Sequence, residues 1–179
     1  IPCCAWLEGE FGLKDIYFKM NCKQLLKSLY PPEIRDLPVE DLHAWSNEHG
    51  ILYDGTAFSL KPENNVSTAL AMTSLIRMLF QGEIVQDAAR DEMMGILYKQ
   101  QLNQRLPRFL PPGVAFAHKT GTIGGVCNDA GVMTIAEDNH VVVTLFTKWD
   151  AQSVWNEPVV RTQRVFEVES AMGRIGRLV

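Results

Sequence analysis

The sequence predicts an α+β domain in which a helical part is followed by antiparallel strands and a closing helix. Three observations predict it. Apolar residues recur at helical spacing as far as about residue 100, the three prolines of "LPRFLPPG" then end all periodicity, and strand-like segments follow in close succession between residues 114 and 148. At 179 residues, 46% hydrophobic and 21% charged, the chain can bury a sizeable core, which argues against disorder. The expected division is a helical region over 1–112, with an irregular loop near 51–65, and strands plus a helix over 113–179, the two forming one structural unit.

Each element has a local reason. "LKDIYFKMNCKQLLKSL", from Leu13 to Leu29, has helical spacing, with Asn21 as a cap or break and Pro31-Pro32 as the stop. Asp36 and Pro38 suit a second helix start, Leu42 and Trp45 give it an apolar stripe, and Gly50 suits its end. The stretch 51–65 carries turn formers at Asp54-Gly55 and Pro62, and a loop of that length within a compact domain is more often functional or mobile than incidental. Asn65 or Ser67 can cap the next helix, where Met72, Leu75, Ile76 and Leu79 fall at i, i+3, i+4, i+7 before Gly82. A further helix is expected from Asp87 to Gln100.

Strands are expected at 114–122, 128–136 and 140–148, the last two joined by a short hairpin through "EDN". Pro158 fits the first turn of a closing helix whose stripe is Val165, Val168, Met172 and Ile175, and this helix is expected to lie across one face of the sheet.

Composition narrows the function. Seventeen Lys plus Arg against 21 Asp plus Glu, a net charge of -4 without a basic block, argue against a nucleic-acid partner. No apolar run is long enough to span a bilayer, and no signal peptide is visible. Cys3, Cys4, Cys22 and Cys127 lack paired metal or redox spacing, which leaves free thiols and one disulfide both open. His43 and His49 stand six apart rather than i, i+4, and are read as solvated rather than as metal ligands; no metal or cofactor is expected. His118 and His140 stand apart from any serine in a nucleophile-elbow sequence.

One stretch carries chemistry. "HKTGT" sets Lys119 in a strand of apolar neighbours and follows it with Gly121, which lets a ligand approach the backbone. A ligand lying along this strand would meet the Lys119 ammonium, the Thr120 and Thr122 hydroxyls and the Thr122 amide N–H, aimed at a carboxylate and a carbonyl oxygen.

K-T-G is one of three motifs of the class A β-lactamases and penicillin-binding proteins, with S-x-x-K and S-D-N. The chain resembles that family well beyond the motif: "NNVSTALAMTSLIRML" resembles the helix after the omega loop, and "GILYKQQLNQRLPRFLPPG" the segment before the motif strand. "AHKTGTIGGVCNDAGVM" resembles the motif strand and its partner, so the resemblance covers about residues 64–179. It implies an α/β/α sandwich of the β-lactamase/transpeptidase type, incomplete without upstream strands, and an acyl-serine mechanism on β-lactam amides or related peptidoglycan peptides. It also implies a periplasmic or secreted setting. By this resemblance Lys119 and Thr122 are catalytic, and Thr120 and Gly121 bind substrate.

Two family motifs are missing. None of the serines at 28, 46, 59, 67, 74, 153 and 170 has a lysine three residues on, and "WSNEHG" lacks the aspartate of S-D-N. The expectation is therefore a C-terminal portion of a longer protein, either associated with its missing N-terminal part or poorly stable, and inactive alone. Glu48, Asp54 and Glu63 stand outside the family's Glu-x-x-x-Asn frame and are read as surface carboxylates, which implies slow deacylation. The competing reading is a non-catalytic member serving as a ligand-binding or protein-interaction module.

Overall fold

A computed structural model describes residues 3–179, which form two compact units divided between Thr68 and Ala69. The change of character near residue 112 therefore falls inside the second unit.

In the first unit, helix α1 runs over Cys3–Phe11, where the sequence predicts no helix, and strand β1 over Ile16–Tyr17. Gly12 at φ 65° and Asp15 at φ 62° turn the chain out of α1, so the expected continuous helix from Leu13 does not form. Only Cys22–Lys27 is helical (α2), and Asn21 is its cap, paired reciprocally with Gln24 in a capping box. Helix α3 spans Val39–His49 and ends at Gly50 with φ 84°, as the sequence predicts.

The 51–65 loop is irregular apart from a 3-10 turn at Thr56–Phe58. Its closing asparagines hold it. Asn64 donates from Nδ2 to the carbonyls of Ala57 (3.1 Å) and Ser59 (2.8 Å). Asn65 accepts from the amides of Lys19 (2.7 Å) and Met20 (2.9 Å) and donates to the Met20 carbonyl. Asn65 thus ties strand β2 (Val66–Ser67) beside β1 rather than capping the next helix.

The second unit comprises α4 (Ala69–Phe80), α5 (Asp87–Tyr98), β3 (Ala115–Ile123), β4 (Val126–Ala136), β5 (Asn139–Lys148) and α6 (Pro158–Leu178). The strands form an antiparallel sheet in the order β3-β4-β5, which leaves β3 at an edge among the described residues. Strand β4 starts two residues earlier than predicted, so Gly124-Gly125 makes a two-residue hairpin between Ile123 and Val126. Gly124 has φ 52°, and a Cβ at Gly125 would lie 2.0 Å from the Trp149 carbonyl.

Strand alternation gives the sheet two faces. Ala117 and Val132 face Leu79 of α4 and Met94 of α5 in one core. Phe116 and Met133 face Leu106 in the other, beneath a 3-10 turn at Leu106–Phe109.

Helix α6 begins at Pro158 as predicted, but its stripe differs. Ile175 is exposed, and the buried positions are Ser170, Met172, Gly173 and Gly176. Its closest approach is to the Leu106–Phe109 turn rather than broadly across the sheet. Two glycines allow this: a Cβ at Gly176 would lie 2.1 Å from the Leu106 carbonyl oxygen, and one at Gly173 would lie 2.8 Å from Arg108 Cβ.

Candidate active site

The K-T-G residues lie on the edge strand β3, opposite Ala130, Asp129 and Asn128 of β4. Lys119 is exposed and its Nζ donates to the Thr120 carbonyl at 2.6 Å. Gly121 shares its face. A Cβ there would meet only Asn128, at 3.6 Å and 4.0 Å. That is ordinary contact, so the protein's own packing does not require glycine at 121, whereas it does at 125, 131, 173 and 176.

Thr120 and Thr122 point to the opposite face by alternation. Thr120 is buried beside Asp129, while Thr122 is exposed. The strand therefore does not gather Lys119 and both hydroxyls on one side.

The structure adds a residue that sequence reasoning did not single out. Arg105, only 5% exposed, sends its guanidinium behind the motif. Nη1 donates to the carbonyls of Gly121 (2.9 Å) and Asn128 (2.6 Å), Nη2 donates to Thr122 Oγ1, and Nε donates to Glu169 of α6 at 3.3 Å. A buried guanidinium is tolerated because its charge is paired and its donors are occupied. Since Arg105 fills an acceptor position of the Thr122 hydroxyl, that hydroxyl's own proton remains available to donate to another group.

Cys127 lies opposite Thr122 and is buried. Burial pushes its thiol upward from 9.0, with Arg105 opposing and Glu169 reinforcing the shift.

The side chain of His118 also lies behind the motif strand. It is 1% exposed, its ring is 4.6 Å from that of Phe116, and its Nδ1 is 2.7 Å from Asp129 Oδ1. Asp129 is fully buried, and its other oxygen accepts from the Leu106 amide at 3.2 Å. The sequence signals were Arg105 directly before an apolar Leu-Pro and a carboxylate at 129 among apolar strand residues. Neither pointed to a partner until the β3–β4 register was known.

The remaining candidates lie as predicted. His43 and His49 are exposed, with His49 stacked on Trp45, and Glu48, Asp54 and Glu63 are exposed carboxylates. The four cysteines are free. No metal-binding group of three or more His, Cys, Asp or Glu occurs among the described residues, and no helix there is long and apolar enough to cross a membrane.

This is a mixed helix and antiparallel-sheet architecture with a K-T-G edge strand. The profile of the Beta-lactamase enzyme family matches residues 22–179, and the chain belongs to that family. A β-lactamase from Sphaerobacter thermophilus is similar at 29% identity and TM-score 0.51, over 63% of this chain and 39% of that one. A β-lactamase from Chitinophaga pinensis shares the fold at TM-score 0.59 and 22% identity, over 98% of this chain and 53% of that one. The TLA-1 extended-spectrum β-lactamase shares it at TM-score 0.52 and 20% identity, over 89% of this chain and 51% of that one. The chain thus spans about half of these structures or less. No curated protein matches it.

Proposed function

We propose that this chain forms the K-T-G side of the site of a serine β-lactamase-like hydrolase acting on β-lactam amides or related peptidoglycan peptides. The nucleophilic serine comes from outside residues 1–179. The observation that carries the reading is the edge strand itself: an exposed lysine, a glycine that packing does not require, and an exposed threonine braced by a buried arginine.

A substrate laid along the free edge of β3 has the Lys119 ammonium on one side of the strand and the Thr122 hydroxyl on the other; the hydroxyl, whose proton Arg105 leaves free, donates to its carboxylate, and the ammonium supplies positive charge from the opposite side. The Thr122 amide N–H donates to the scissile carbonyl and holds its oxygen as charge develops during serine attack. Thr120 contributes through its backbone, since its carbonyl holds the lysine Nζ, and Gly121 clears the approach. Such substrates place the protein in the periplasm or outside the cell. With no family-type glutamate assigned in the 51–65 loop, the acyl-enzyme should persist, making the protein a penicillin binder or slow hydrolase.

The test is labelling of the intact protein by a fluorescent penicillin. Lys119→Ala should slow acylation strongly while leaving the apparent Tm little changed, because Lys119 is exposed. Equal labelling of variant and parent would remove the role of Lys119, and a parent that binds penicillin without covalent labelling would favour the non-catalytic module.

A further inference from the structure

The buried histidine beside the motif lysine makes no contact with the exposed side of β3, yet its surroundings are closely fitted to it. Its place opposite Gly131 requires that glycine: a Cβ at 131 would lie 2.6 Å from His118 Cβ and 2.1 Å from the Ala117 carbonyl oxygen. Nδ1–H donates to Asp129 Oδ1 at 2.7 Å, and Nε2 lies 3.2 Å from Asn103 Oδ1. The second Asp129 oxygen accepts from the Leu106 amide at 3.2 Å. The sheet therefore holds the segment before the 3-10 turn at two points, the Asn103 side chain and the Leu106 backbone. Arg105 lies between these points in the chain.

We propose that His118 is a positioning residue: with Asp129 and Asn103 it fixes segment 103–106 against β3 and β4, and so sets the Arg105 guanidinium behind Gly121 and Thr122. The proposal rests on the functional reading above for its consequence, though not for its geometry.

Rigidity is the physical reason. An arginine side chain has many rotamers, and holding its fork on Gly121, Asn128 and Thr122 requires the backbone from which it starts to be held as well. Asp129 supplies one fixed acceptor for the Leu106 amide because its carboxylate cannot turn without losing His118. Asn103 is exposed and lies against the second ring nitrogen. It fastens the other end of the segment. Glu169 fixes only Nε of the side chain, from α6. With one end loosened, the guanidinium should sample other rotamers and the Thr122 hydroxyl should lose its fixed direction.

Asn103→Ala is the first variant, since an exposed residue can be shortened without opening the core. Asp129→Asn, which keeps the side chain's size, is the second. In the intact protein, the Arg105 Nε–Hε signal is followed by nitrogen-15 NMR, and benzylpenicillin is titrated against the Thr122 amide. A positioning role predicts a broadened or shifted Arg105 signal in both variants, with Asn103→Ala keeping close to the parent's apparent Tm. It also predicts penicillin affinity weakened about tenfold, the value of losing one hydrogen bond that involves a charged group. Arg105 signals and affinity equal to the parent's in folded Asn103→Ala would overturn the proposal. Absence of any penicillin response in the parent would instead remove the functional reading, and the Arg105 signal would still decide the positioning role.

Discussion

Replacing Gly176 by alanine tests how the second unit holds its arginine-bearing turn. In an ordinary helix interior the change is favourable, by about 0.8–1 kcal/mol, because alanine loses less backbone freedom. Here the added Cβ would meet Leu106 O at 2.1 Å, Leu106 C at 2.9 Å and Leu106 Cα at 3.1 Å. All three obstacles are backbone, so no side-chain rotation relieves them. Either α6 or the 3-10 turn must move, and overpacking of this kind costs about 1–3 kcal/mol. After the helix gain is subtracted, the expected net loss is at most about 2 kcal/mol, or an apparent Tm lower by up to about 8 °C at this chain length. Gly95→Ala in α5 is the control: its Cβ meets nothing within 4 Å, so the same chemical change should raise the apparent Tm by about 2–4 °C. Far-UV circular dichroism melts of the two variants decide the matter. If Gly176→Ala is as stabilising as Gly95→Ala, the close packing of α6 on Leu106 is wrong.

Asp129→Ala should leave the His118 Nδ1–H and the Leu106 amide without partners in the core, at about 1–3 kcal/mol each, read by denaturant unfolding. Cys127 should resist thiol reagents in the folded chain because burial raises its thiol, and should react after denaturation, while exposed Cys3 and Cys22 react at once. Asp36 is held below its ordinary 3.8 by its hydrogen bond with Lys27, so its contribution is present above that value and is lost as pH falls through the lowered one. Asp36→Asn should therefore flatten the acid limb of the stability profile and have less effect in high salt, since the aspartate is almost fully exposed.

How much is legible depends on the range of the interactions. The helix ended by Gly50, the Pro158 helix start and the three strands follow from residues close in sequence, and they form as read. The segment from Leu13 to Leu29 does not, because apolar spacing alone fails to register the two left-handed residues, Gly12 and Asp15, that turn the chain around its start. The closing helix differs for a related reason: a search for large apolar residues selects Ile175, whereas close approach to a backbone selects Gly173 and Gly176.

The sequence by itself determined the family and the chemistry on offer, because a lysine, two threonines and a glycine in consecutive strand positions announce their spacing. It could not determine which of them share a face with which partners. That was decided by the β3–β4 register, which sets Asp129 across from Thr120 and near His118, and by the chain's path through the turn before β3, which brings Arg105 to Thr122 from 17 residues away. Side chains alternate faces with period two and buried charges must find partners. Register and burial are properties of the folded sheet, so the exposed residues of the candidate site were legible in the motif, and the buried ones behind them emerged only when the strands paired.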